Sequence, residues 1–259
     1  MTEDKIMTAE DFIKFVEITK RLRKECPWDR EQNHSSIRHS LIEEAYEVVE
    51  AIETNNMDEL CRELGDLLLH VVFHANIAEE KKEFTLRQVI GNISQKLIFR
   101  HPHIFGNVKV DGTDHIKRNW EKLKMEEGRE SLMDGVPKEL PALLRAHRLT
   151  EKASQVGFDW KKKDDAWNKV EEEIKEVHQA IESGTQENID AEFGDLLFAL
   201  VNYSRFIQVN PENALRQAIE KFIGRFRYIE RRLKETGKDI HSSSLEEMDS
   251  LWNEAKKRL

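Results

Sequence analysis

At 259 residues, with 41 basic and 50 acidic side chains and a formal charge of −9, the chain is long enough for one large domain or two ordinary ones. An acidic balance without a strong basic run argues against a duplex-binding surface, so phosphate handling would call for a metal ion or a local basic pocket. Two cysteines, Cys26 and Cys61, are too few for a disulfide framework or a zinc cluster, and no stretch reaches the roughly 18 apolar residues of a membrane span. The N-terminus MTEDKIMTAEDF has no secretory apolar core. The expectation is a cytoplasmic protein with reduced thiols and neither a membrane nor a nucleic-acid partner.

In chain order, apolar residues recur at three- and four-residue steps, as in Leu41, Ala45, Val48, Val49 and Ile52, and alternating strand-like runs are hard to find. This periodicity predicts an all-α fold. A polar turn at Thr54-Asn55-Asn56 separates two helical patterns and predicts a helical hairpin. Asp66, His70 and His74 follow at four-residue steps and read as packing or lining residues. In Arg100-His101-Pro102-His103-Ile104-Phe105 the proline marks a helix end. From Gly128 to Pro141, two prolines and two glycines interrupt the helical patterns. This stretch, 128–141, is read as a linker between an N-terminal module, 1–127, and a C-terminal one, 142–259.

The second half repeats the first. LIEEAYEVVEAI at 41–52 matches VEEEIKEVHQAI at 170–181, and RELGDLLLHVV at 62–72 matches AEFGDLLFALV at 191–201. Glu43 to Glu172, Glu47 to Glu176, Glu63 to Glu192 and Asp66 to Asp195 are each a step of 129 residues. Trp120-x-x-x-Lys124 is echoed more weakly by Trp252-x-x-x-Lys256. The chain therefore reads as two tandem copies of one helical module.

Each copy carries Glu-Glu-x-x-Glu and then Glu-x-x-Asp. Glu47 and Glu63 lie eight residues either side of Asn55, and Glu44 and Asp66 eleven. An antiparallel hairpin sets these pairs side by side, roughly 12 and 16 Å from its tip at about 1.5 Å per residue. Glu176 with Glu192 and Glu173 with Asp195 repeat both spacings about Gly184. The acids fall along the apolar stripe, where gathered carboxylates must protonate or find a cation. All-oxygen ligands select Mg²⁺, Mn²⁺ or Ca²⁺ over zinc, and Mg²⁺ shares its shell with phosphates and water. A solvated acidic face is the bland alternative for one such motif, but the repeated pairing favours a cation site. A di-iron bundle would need Glu-x-x-His, which neither half supplies at these acids, and no Gly-rich phosphate loop is present.

EExxE followed by ExxD within GDLL, twice in one chain, together with Cys26-Pro27-Trp28-Asp29 and the RHPHIF segment, closely resembles the MazG nucleoside triphosphate pyrophosphohydrolases. The resemblance covers roughly residues 10–259. It implies the all-α pyrophosphohydrolase fold, homodimers, and Mg²⁺-dependent cleavage of ordinary or aberrant nucleoside triphosphates between the α- and β-phosphates, with Mn²⁺ as a substitute. By position, it implies metal ligands at Glu44, Glu47, Glu63 and Asp66, and at Glu173, Glu176, Glu192 and Asp195. Glu43 and Glu172 would orient or deprotonate the attacking water. Lys221, Arg225, Trp252 and Lys256 match phosphate- and nucleotide-contacting positions of the second half, with Arg100 and Lys124 their nearest equivalents in the first. Phe99 stands where many relatives carry a second arginine, a departure in the N-terminal triphosphate grip, and the resemblance to duplicated members implies the C-terminal half as the main catalyst. Trp28, Phe158 and Trp160 are candidates to stack on a base. The competing class is a non-catalytic helical regulatory module with a structural metal site.

Overall fold

The computed structural model describes residues 3–258 apart from 113, 114, 117, 118, 121, 122, 124–126 and 129, and the side chains of 7–258 apart from those and 183. Among the described residues the structure is helical, with no strand. The chain forms two compact units, 1–109 and 110–259. The proline- and glycine-bearing stretch 128–141 falls inside the second, where the buried Lys152 donates to the carbonyl of Leu132 at 2.8 Å. No helix among the described residues is long and apolar enough to cross a membrane.

The first unit contains α1 (Glu3–Glu25), α2 (Pro27–Glu31), α3 (Arg38–Glu53), α4 (Met57–Glu80), α5 (Leu86–Arg100) and α6 (Pro102–Phe105). α3 and α4 pack as a hairpin, with α1 and α5 against α4. The turn works because Asn55 takes a positive φ of 54°, which asparagine tolerates better than most residues. Asn56 then caps α4 by accepting the amide of Glu59 at 3.2 Å. The buried face of α4 carries Val72, Phe73, Ala75, Ile77 and Ala78, and Ile37, Phe73 and Ile77 form a core cluster with Leu69. Stripping that face from water is the main term holding the unit together.

The second unit contains α7 (Ala142–Gln155), α8 (Lys163–Ser183), α9 (Gln186–Phe206), α10 (Pro211–Glu235), a 3₁₀ turn (Ile240–Ser242) and α11 (Leu245–Arg258). Its hairpin is α8–α9, with α7 against α9 and α10, and α11 against α10. Here the turn uses Gly184, where a Cβ would stand 2.5 Å from the carbonyl oxygen of Ala180, so a close backbone approach replaces the left-handed asparagine of the first unit. Thr185 caps α9 through the amide of Asn188. Ala166, Val170, Ala199, Val201, Tyr228, Ile229, Leu233 and Ala255 are buried.

Candidate active site

Each hairpin brings its acids together. In the first unit Glu44 of α3 and Glu63 and Asp66 of α4 each place a carboxylate oxygen within 4.8 Å of the other two. Glu47 stands close enough to both Glu44 and Glu63 to raise their carboxyls by its charge. Burial, and then the neighbouring charges of Glu47 and Asp66, hold the Glu44 carboxyl above its ordinary range. Glu63, only 8% exposed, is pushed up to about 7 by its hydrogen bond with Glu59, by burial and by Glu47. Arg62, ion-paired to Glu59, helps hold Glu59 in the ionised, accepting state. Glu43 is exposed on the outer side of α3.

In the second unit Glu173 and Glu176 of α8 and Glu192 of α9 converge within the same 4.8 Å. Asp195 lines a cavity of about 370 Å³ together with Glu173, Lys169, Trp160, Phe198 and Asn202. Glu173 is 4% exposed, and its Oε2 is buried with no hydrogen-bond partner. Burial, and then the charge of Glu173, raise the Glu176 carboxyl. Glu172 is exposed.

Lys169, one turn before these acids, was not a sequence candidate. Its Nζ lies 2.6 Å from Glu173 Oε1 and 2.8 Å from Glu172 Oε1. Its pKa is raised by the hydrogen bonds with Glu172 and then Glu173. From sequence it looks like an ordinary i, i+4 surface pair. The signal that distinguishes it is the repeat itself, because the residue 129 positions earlier is Ser40.

A divalent cation fits these clusters on the chemistry of the donors. Small rotations of these side chains would bring the carboxylate oxygens to the roughly 3–4 Å mutual separations of an octahedral Mg²⁺ shell. A buried carboxylate oxygen without a partner, as at Glu173, is an acceptor in want of a cation or donor. In each half three of the four acids converge, with Glu47 beside Glu44 and Glu63 in the first unit and Asp195 on the same cavity wall as Glu173 in the second.

The basic and aromatic candidates are arranged separately. Arg225 stacks over Trp252 at 5.4 Å, and Phe222 lies 5.3 Å from the same ring, so this strip belongs to the α10–α11 pair. The carboxylates belong to α8–α9. Lys221 and Lys256 are exposed on α10 and α11. Arg100 is buried at the end of α5, and Lys124 lies outside the described residues. Trp28 is 64% exposed beside α1.

Trp160 and Phe158 line a second cavity, of about 680 Å³, with Met133, Leu149, Arg145 and Asn202. Trp160, Phe198 and Asn202 also line the cavity that holds Glu173 and Asp195, so the aromatic chamber adjoins the acid cluster. The corresponding position to Asn202 in the first unit is the buried Phe73 of the core cluster.

His70 and His74 are half-buried. His74 Nδ1 lies 2.7 Å from Nδ1 of His34, with the two rings stacked, so one proton serves both nitrogens. Burial lowers the pKa of both His70 and His74.

The model of the MazG nucleotide pyrophosphohydrolase domain matches residues 32–105 and 163–229, one segment over each acid hairpin. The chain is 43% identical over 250 residues to the nucleoside triphosphate pyrophosphohydrolase/pyrophosphatase MazG of Thermotoga maritima, covering 95% of each chain. It is 39% identical over 241 residues to a nucleoside triphosphate pyrophosphohydrolase of Escherichia coli, covering 90% of this chain and 91% of that one. With the uncharacterized protein YabN of Bacillus subtilis it shares 47% identity over 98% of its own length, but spans only 53% of that longer protein. With both hairpins matched by the family model and full-length relatives at this identity, the chain belongs to the MazG nucleotide pyrophosphohydrolase family of enzymes.

Proposed function

We propose that the chain hydrolyses nucleoside triphosphates to monophosphate and pyrophosphate, using Mg²⁺ or Mn²⁺, with the second unit as the main catalyst. The observation that carries this reading is the convergence of Glu173, Glu176 and Glu192 beside Asp195, with a buried, unpartnered oxygen on Glu173. A cation held by these four would lower the pKa of a bound water and neutralise phosphate oxygens. Glu172, at the outer edge of the cluster and tied to Lys169 at 2.8 Å, orients the attacking water or accepts its proton. Lys169 supplies positive charge at the same mouth, where the departing pyrophosphate develops negative charge. The adjoining chamber receives the nucleoside.

The first unit holds the same acids, Glu44, Glu47, Glu63 and Asp66, but has Ser40 in place of Lys169 and Phe73 in place of Asn202. That contrast supports the second unit as the better catalyst. Lys221, Arg225 and Lys256 would balance charge on the outer phosphates, with Trp252 as a nucleotide contact, when brought to the acids by a second copy of the chain. The exposed apolar residues Phe193, Leu197 and Leu200 of α9 support such a homodimer, since apolar surface of this kind favours burial. Two free cysteines are in keeping with a cytoplasmic setting. Acceptance of several bases, with the preference among them set by the adjoining chamber, and a role in clearing nucleotides from the pool complete the reading.

The test is Mg²⁺-dependent pyrophosphate release from a panel of nucleotides. Glu173→Gln should abolish most turnover and Glu44→Gln much less; the reverse order overturns the assignment of the working half. If protein saturated with Mg²⁺ or Mn²⁺ turns over none of the panel, the chain is a regulatory module instead.

A further inference from the structure

We infer that the 680 Å³ chamber of the second unit binds a nucleobase and reads guanine by its hydrogen-bonding edge, through Asp159, Asn202 and Arg145. This rests on the nucleotide reading of the adjoining acid site and adds the base that the site prefers. The chamber lies within the range of ligand pockets, about 300–1,000 Å³, and its aromatic walls, Phe158, Trp160 and Phe198, suit a flat ring.

The three polar groups differ in what they have left to offer. Arg205 donates to Asn202 Oδ1 from both Nε, at 3.2 Å, and Nη2, at 2.7 Å. The amide oxygen therefore faces Arg205, and the Nδ2 amino group is left as a pure donor to the chamber. Adenine is commonly paired by an asparagine that uses both its oxygen and its nitrogen. Asn202 cannot do this, because its oxygen is taken.

Asp159 Oδ1 already accepts from Arg205 Nη2 at 2.7 Å and from the Trp160 amide at 2.9 Å. Its Oδ2 retains two lone pairs for N–H donors. Arg145 also lines the chamber and brings guanidinium N–H donors to its wall. The chamber thus offers one carboxylate acceptor against donors from an amide and a guanidinium. Guanine matches both sides, with N1–H and the 2-amino group for the carboxylate and O6 with N7 for the donors. Hypoxanthine lacks the 2-amino group and loses one bond to Asp159. Adenine offers the carboxylate a single amino group and presents no carbonyl to Arg145 or Asn202.

The experiment is equilibrium binding of GMP, IMP and AMP to the whole chain, alongside kcat/KM for GTP, ITP and ATP. Affinity and kcat/KM should fall in that order, by about tenfold at each step, the scale of one charge-assisted hydrogen bond. Asp159→Asn should bring GMP binding down to the level of IMP. Asn202→Asp, which keeps an acceptor for Arg205 and replaces the amino donor by a carboxylate, should weaken GMP selectively against AMP. Near-equal affinities for the three monophosphates, or a preference for AMP, overturn the inference. If the monophosphates bind in the expected order while no triphosphate is hydrolysed, the base assignment stands and the hydrolytic reading fails.

Discussion

Lys169 Nζ sits 2.6 Å from Glu173 Oε1 and holds Glu172 at 2.8 Å with the same ammonium group. One cation thus partly neutralises the acid cluster in the absence of metal, and a divalent ion must compete with it for Glu173. Lys169→Met should therefore tighten Mn²⁺ binding to the nucleotide-free protein a few-fold, while raising KM for the triphosphate because positive charge at the mouth is lost. Titration calorimetry of the variant with Mn²⁺ checks the first effect. Weaker metal binding would show that Lys169 organises the cluster rather than competing for it.

Among the described residues of the first unit no lysine is ion-paired to Glu44, Glu47, Glu63 or Asp66, and the proton fills that role instead. Glu63, pushed up to about 7, favours its protonated form in the fold. The stabilisation tied to that proton is fully present below the ordinary carboxylate value and is lost as the pH rises through about 7. Glu44 and Glu176, also raised, act in the same direction. In chelator the melting midpoint should fall between about pH 5 and pH 8, and Glu63→Gln should flatten the profile. Added Mn²⁺ should restore stability at the alkaline end by replacing the proton. A midpoint that is flat or rises over this interval in metal-free protein contradicts the titration of Glu63.

The helical hairpins and their carboxylates were legible in the sequence because both depend on short-range spacing. Residues eight and eleven positions from a turn meet on one face whatever the rest of the chain does, and the repeat states that spacing twice. The chamber was not legible in full. Met133, Arg145, Trp160 and Asn202 come from distant parts of the second unit, and only tertiary packing joins them. Phe158 and Trp160 were candidates to stack on a base, but Arg145, Asp159 and Asn202 carried no local pattern. The pairing of His34 with His74, 40 positions apart, was hidden for the same reason. The basic strip was found by resemblance, and the structure assigns Arg225 and Trp252 to a helix pair other than that of the acids.

Gly184 sets the register of the α8–α9 pair. A methyl group there would stand 2.5 Å from the Ala180 carbonyl oxygen, so Gly184→Ala must shift the backbone of the turn. The expected cost is about 1–2 kcal/mol. The acids eight and eleven residues away would be displaced along their helices, lowering metal affinity as well. The matching change at the first turn, Asn55→Gly, relieves a positive φ and should leave stability within about 0.5 kcal/mol of the parent. Thermal melts of the two variants check this contrast, and an unperturbed Gly184→Ala would refute it.

Arg23 is the main polar tie of the first unit. It is 7% exposed, it grips Glu80 through Nε at 3.0 Å and Nη2 at 2.6 Å, and its Nη1 donates to the carbonyls of Gln32, at 3.0 Å, and Asp29. One guanidinium therefore fastens the end of α1 and the α2 segment carrying Trp28 to the end of α4. Its hydrogen bonds hold the Glu80 carboxyl below its ordinary range, so the contribution of this pair is present above the usual carboxylate value and lost as the pH falls below it. Glu80 is half exposed and can rehydrate, but the two carbonyls lose a buried donor. Arg23→Met should accordingly cost about 2–4 kcal/mol, and Glu80→Gln clearly less. Arg23→Lys should recover little, because an ammonium group cannot span a carboxylate and two carbonyls with one planar fork. Denaturant melts of the three variants decide the matter. An Arg23→Lys protein as stable as the parent would mean that charge alone, and not the fork, holds α1 to α4.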